Sequence, residues 1–185
     1  IIMFSVITSG ILAVMTQNIG ADNPGIAYQA RQIGIIFNSV LGIALGIFLF
    51  TCSKSILLVV GIADLLLEPS NVYLQIVGGF CIFNALIPVF SGYLRAFGYT
   101  KQSLVATIIA NILNFILNAV FLFGLDMGVK GVAIATVISK IVNLIIVIWE
   151  SAVLIHAQQD PNRLPNRTIL GQIIKIGLPS ALETA

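Results

Sequence analysis

Leu104–Phe123 reads LVATIIANILNFILNAVFLF, an uncharged run long enough to cross a bilayer as one helix. A hydrocarbon core of about 30 Å takes about 20 apolar residues at the helical rise. Within the run, Thr107, Asn111, Asn114 and Asn118 recur at steps of four, three and four. On a helix they form one polar stripe, and the other sides are Ile, Leu, Val and Phe. An amide left unsatisfied in hydrocarbon is costly, so such a stripe must face other helices or a cavity. Ile33–Cys52, Val72–Leu94 and Gly131–Trp149 are runs of the same kind. Ile1–Met15 reads as the end of a fifth span and Ile169–Ala185 as the start of a sixth, so the chain is expected to be an excerpt of a longer one. The fold class these runs imply is an all-α membrane protein, a polytopic transmembrane helix bundle.

Composition agrees and removes several classes. The 185 residues are 58% hydrophobic and 9% charged, with a mean hydropathy of +1.07. A soluble domain needs a polar shell and is about 25% charged. A net charge of +2 with no basic stripe argues against a nucleic-acid partner. Cys52 and Cys81 have no ligand spacing and are too few for a disulfide framework. His156 is the only histidine, which removes His-rich metal sites and most imidazole catalysis. Thr8-Ser9-Gly10 and Phe90-Ser91-Gly92 faintly resemble an intramembrane serine protease, but that chemistry needs a base beside the serine. An enzyme is not expected, and neither is a cofactor.

The connections read as short polar loops at 17–32, 95–103, 124–130 and 158–168, the last with Pro161 and Pro165 as the best hinge. Ser55–Leu67 carries Asp64 and is too short to span, so it is expected to be an interfacial segment or a helix extension. The first, third and fifth loops hold Arg31; Arg95 and Lys101; and Arg163 and Arg167, with Lys175 just inside the following helix. The second, between the runs Ile33–Cys52 and Val72–Leu94, and the fourth hold only Lys54 and Lys130. The positive-inside rule then puts the odd loops in the cytoplasm.

Polar residues inside the spans are the candidate site. Thr136, Lys140 and Asn143 share one face of Gly131–Trp149, and Lys140 sits at its midpoint. A central Lys costs about 2.5–3.5 kcal/mol on insertion, so it must meet a cavity or an acceptor. It either pairs structurally within the bundle or lines a cavity as a charge that changes partners. Asn84, Pro88 and Ser91 share a face of Val72–Leu94. Pro88 is expected to kink that helix, and Gly78–Gly79 adds a second weak point. Asn38 lies in a row with Gly34, Gly42 and Gly46, a face suited to close helix contact. Gln17 either caps the first helix or lines the cytoplasmic mouth, and Glu183 could face a cavity from the last helix. For the asparagines, interhelical hydrogen bonding competes with a set of carbonyls offered to a small hard cation or a polar substrate.

Asn111–Asn118 (NILNFILN), Phe121–Gly124 (FLFG) and Gly128–Thr136 (GVKGVAIAT) together resemble a signature of the multidrug and toxic compound extrusion, or MATE, transporters. It spans the family's fifth and sixth helices. Tyr93–Gly98 (YLRAFG), Gln17–Ala21 (QNIGA) and Gly177–Pro179 (GLP) are similar to further family stretches, in the same order over nearly the whole chain. The resemblance implies one lobe of a twelve-helix, two-lobe transporter in the cell membrane. Residues 1–157 would be its membrane helices from the end of the second to the sixth, 158–168 a cytoplasmic inter-lobe linker, and 169–185 the start of the seventh. It implies a secondary antiporter that exports small organic cations or other toxic compounds in exchange for Na⁺ or H⁺ by alternating access, and that acts as a monomer. Some members hold the coupling cation in this lobe, and those positions fall on Asn114, Asn118 and Thr136. Asn118 is an amide where those members carry a carboxylate, which removes one negative charge. Lys140, Asn143, Asn111, Asn84, Asn38, Gln17 and Glu183 are the cavity candidates, and Pro88 the gating bend. The alternatives are a lipid-linked oligosaccharide flippase of the same superfamily, a channel, and a non-transporting membrane scaffold.

Overall fold

The computed structural model describes residues 2–155 and, beyond them, 169, 171 and 175, with side chains from Thr8 onward. The described chain is helical almost throughout. Its helices are α1 (Ile2–Gly20), α2 (Pro24–Val60), α3 (Asp64–Gly79), α4 (Cys81–Ala96), α5 (Thr100–Ala119) and α6 (Gly128–Leu154). A five-residue π-helical turn, Val120–Gly124, closes α5. The hinge expected at 158–168, and Glu183, lie outside the described residues.

Three helical stretches are long and apolar enough to cross a membrane: Pro24–Val60, Thr100–Gly124 and Gly128–Leu154. The fourth is the pair α3–α4, bent by 43°. These are the four runs read from the sequence, but their boundaries move. The loop expected at 17–32 contracts to Ala21–Asn23, because Pro24 occupies the first turn of α2 and Ala27, Ala30 and Ile33 then bury at helical spacing. Gln17 and Arg31 are therefore helical residues rather than loop residues. The stretch 55–67 divides. It continues α2 to Val60, ends at Gly61 with φ of 80°, and restarts as α3 at Asp64. That left-handed cap suits glycine, and the Ile62 N–H closes it on the Leu57 carbonyl at 3.2 Å.

Val72–Leu94 is broken at Phe80, just after Gly78–Gly79, and α4 runs without interruption through Pro88. The diglycine is where α2 approaches. A Cβ added at Gly46 would stand 2.7 Å from the Gly79 carbonyl oxygen, and one at Gly42 would stand 2.9 Å from the Ile82 Cα. Side chains at those positions would push the helices apart.

Helix α4 packs on α1, α2 and α6, and α5 packs chiefly on α6. The core gathers at one end of the bundle around Met15, Ala30, Tyr93, Leu94, Val147 and Ile169, all fully or almost fully buried. Arg31 lies there too, its guanidinium 4.5 Å from the Tyr93 ring centroid and 4.7 Å from that of Tyr28. Ile36, Ile47, Phe115, Ile145 and Trp149 project outward, as a lipid-solvated surface allows.

Candidate functional site

A cavity of about 690 Å³ opens between α1, α4, α5 and α6. That is the size of a pocket for a drug-sized molecule. The polar stripe of α6 and that of α5 as far as Asn114 turn toward it, while Asn118, one turn further on, does not line it. Asn111 and Asn114 line it from α5, Thr136, Lys140 and Asn143 from α6, and Asn84 and Pro88 from α4. These seven expected residues are brought together. Leu12, Ile87 and Ala110 add apolar wall.

The asparagine stripe is a connected network. Asn118 Nδ2 donates to Asn114 Oδ1 at 3.1 Å, and Asn114 Nδ2 donates to Ser139 Oγ at 3.2 Å. Ser139 Oγ donates in turn to the Thr136 carbonyl at 2.9 Å. Thr136 Oγ1 donates to the carbonyl of Val132 at 2.8 Å, one turn back on its own helix. The three residues proposed for a cation thus sit along one α5–α6 seam, joined through Ser139. Their donor set is neutral: two amide carbonyls and a hydroxyl. Asn118 Oδ1 is buried without a hydrogen-bond partner, whereas Asn114 Oδ1 already accepts a bond. Such oxygens fit a small hard cation in kind, without the charge a carboxylate would add.

Lys140 Nζ donates to Asn84 Oδ1, which ties α6 to α4 across the cavity. The costly central charge thus has both a cavity and an acceptor. Asn143 keeps a buried Oδ1 with no partner on the same wall. Arg95 also lines the cavity, and its Nε donates to the Ser91 carbonyl at 3.3 Å.

Not every expected residue is at the cavity. Gln17 is exposed near the end of α1. Asn38 is fully buried, and neither Nδ2 nor Oδ1 has a partner. The glycines either side of it explain its burial: a Cβ at Gly34 would meet Ile11 at 2.8 Å, and Gly42 rests on α4. Conversely, Thr8, Ser9, Ser139 and Arg95 line the cavity without having been singled out as site residues. Ser139 was legible: Thr136, Ser139, Lys140 and Asn143 follow the i, i+3, i+4, i+7 pattern of one helix face. Thr8 and Ser9 give no such signal, since nothing in α1 shows which of its faces meets α4.

The chain matches the family model described as MatE over residues 1–120. It is 34% identical over 189 residues to an uncharacterized transporter of Bacillus subtilis, YisQ, a match covering 99% of this chain and 42% of that one. It is 28% identical over 162 residues to the multidrug export protein MepA of Staphylococcus aureus, covering 84% of this chain and 36% of that one. Among solved structures, a crystal structure of MATE in the bent conformation superposes with a TM-score of 0.89 at 23% identity, covering 99% of this chain and 42% of that chain. The chain therefore spans less than half the length of the relatives it matches. With four spans in the expected order, and the family match covering most of them, the chain belongs to the MatE family of multi-pass membrane transporters.

Proposed function

We propose that the transporter to which this segment belongs exports toxic organic compounds by alternating access, driven by Na⁺ or H⁺ moving the other way. The observation that carries the reading is the shared wall. Asn114 and Thr136, at coupling positions of the resemblance, line the same cavity as Asn84, Lys140 and Asn143. A cation arriving at the seam and a substrate in the cavity would then compete for, or repack, one set of side chains, which is what antiport requires. Asn118 would offer the cation its unpartnered carbonyl oxygen, and Asn114 would turn its own from Asn118 toward the ion. No carboxylate stands among these three, so the seam would hold the ion weakly and release it readily. The odd loops would face the cytoplasm, and the segment 158–168 would link this lobe to the next.

The test uses the full-length transporter in proteoliposomes, with Na⁺ and pH gradients imposed separately. The luminal signals of ethidium and of carboxyfluorescein are followed. Movement of either dye under one gradient and not the other supports antiport and names the ion. Movement of neither, in protein shown to be folded by a sharp thermal transition, contradicts the proposal.

A further inference from the structure

Helices α4 and α6 run in step. Lys140 of α6 donates to Asn84 of α4, 56 residues before it, and the Tyr99 hydroxyl, just past α4, donates to the Leu154 carbonyl, 55 residues after it. Two bonds at nearly one offset, at opposite ends of the contact, mean parallel helices whose positions stay level. Arg95 and Glu150 share that offset of 55, so they stand at one height. Their faces also agree. Arg95 follows Asn84 by eleven residues, about three turns, so it leaves α4 on the same side, and it lines the cavity. Glu150 follows Asn143 by seven residues and Thr136 by fourteen. It therefore continues the cavity-lining stripe of α6 toward the end where Arg95 stands.

Neither group is settled where it lies. Glu150 is half-buried, and its Oε2 is sealed with no hydrogen-bond partner among the described residues. A carboxylate oxygen left so is costly. Arg95 is exposed, and its Nε reaches the Ser91 carbonyl of its own helix at 3.3 Å, a long bond. Its guanidinium keeps four further N–H groups, in the fork that matches a carboxylate. Packed helices stand about 8–10 Å apart, a gap that Arg and Glu side chains at one height can bridge. Because Arg95 is both exposed and part of the wall, the cavity meets the surface of this lobe beside it.

Resting on the alternating-access part of the export reading, we propose that Arg95 and Glu150 are the two halves of a gate at this mouth of the cavity. In one state the guanidinium lies on the Ser91 carbonyl, and the mouth is open. In the other it swings to the Glu150 carboxylate, supplies the donors that Oε2 lacks, and bars the mouth with a pair of charge-assisted hydrogen bonds. The unmatched oxygen favours closing, and the exposure of Arg95 to water favours opening. A coupling ion or a substrate then only has to tip the balance between two ready arrangements.

The test uses the full-length transporter with its native cysteines replaced by serine and one cysteine at Asn143, in inside-out membrane vesicles. The rate of reaction with an impermeant, charged methanethiosulfonate is followed under Na⁺ and pH gradients of either direction, so that gating is read without transport. With the pair intact, a slow and a fast rate are expected, set by the direction of the gradient. Arg95→Gln and Glu150→Gln are each expected to hold the fast rate throughout, a rise of about tenfold in the slow condition. The exchange of Arg95→Glu with Glu150→Arg is expected to return the slow rate to within about threefold. Should a glutamine variant fail to fold, Arg95→Cys with Glu150→Cys, without the cysteine at Asn143, takes its place. A short bis-methanethiosulfonate is expected to join that pair mainly under the slow-rate gradient. Glutamine variants that keep both rates, an exchange no slower than they are, or a cysteine pair that never joins overturns the gate. So does an effect of Glu150→Gln without one of Arg95→Gln, which would give the carboxylate a different cation. Gated labelling in a protein that exports neither dye overturns the export reading and supports the pair. A single rate under every gradient with the pair intact overturns both.

Discussion

The glycine face of α2, packed on the α3–α4 bend, and the α5–α6 seam are both built from residues that hydrophobic cores usually avoid, and they do opposite things with them. On α2, an added Cβ would stand 2.9 Å from the Ile82 Cα of α4 at Gly42, 2.7 Å from the Gly79 carbonyl oxygen of α3 at Gly46, and 2.8 Å from the Ile11 side chain of α1 at Gly34. Asn38 is shut inside with both polar atoms unpartnered. On α5 and α6, amides and hydroxyls bond one another in a chain and open onto a cavity. In a bilayer, packing and hydrogen bonding do the work that the hydrophobic effect does in water. The first contact uses packing and makes a closed face. The second uses hydrogen bonds, leaves carbonyl oxygens over, and makes a face that can exchange partners.

The sharpest way to break this contrast is at the close contact. Gly46→Ala should destabilise the folded bundle by about 1–3 kcal/mol, since the atom it strikes is backbone and cannot swing away. Thermal unfolding in detergent checks it. An unchanged transition would mean that α2 does not closely approach the end of α3 at Gly79. At the seam, Asn114→Ala removes two hydrogen bonds, each worth about 0.6 kcal/mol in a membrane bundle, so a loss of about 1 kcal/mol is expected. The double variant Asn114→Ala, Asn118→Ala should lose less than the sum of the single changes, because the two amides share a bond. Additive losses would show that they act separately. The smallest effect is expected at Asn38. Its amide contributes no bond, so Asn38→Ala should stay within about 1 kcal/mol of neutral by the same assay. A larger loss would reveal a partner for that amide and bring the two faces closer in kind.

Much of this was legible in the sequence, for reasons of period and solubility. The four runs could be nothing but spans, and the four-three-four spacing of Thr107, Asn111, Asn114 and Asn118 put them on one face. The face was legible, but not its contents across the helix gap. The Asn114–Ser139 bond links residues 25 apart, and Lys140 finds Asn84 across 56. Such pairings depend on how helices rotate against each other, and the pattern of one helix does not state that. The break at Phe80 falls beside the second weak point, Gly78–Gly79, and was ranked below Pro88 because proline is the stronger breaker within a single helix. Here a neighbouring helix decided it, through the meeting of Gly46 with Gly79. The start of α2 was read late because the Asp22–Gly25 cluster signals a turn without saying how short it is. The charge of the cavity was half visible. Lys140 stood out by depth, while Arg95 was counted only as a loop charge, and its place on the wall required the fold.

The most direct test of the account asks whether the polar faces of α5 and α6 line water while their other faces meet lipid. In a full-length transporter whose native cysteines, Cys52 and Cys81 among them, are replaced by serine, single cysteines would be placed at Thr136 and Asn143, and separately at Phe115 and Ile145. Each would be treated with a membrane-impermeant, charged methanethiosulfonate. A thiol reacts as its thiolate, and that form needs water. Thr136→Cys and Asn143→Cys are predicted to react about tenfold faster or more, and to be protected by a transported substrate. Equal rates at all four positions, or faster reaction at Phe115→Cys and Ile145→Cys, would contradict the cavity itself.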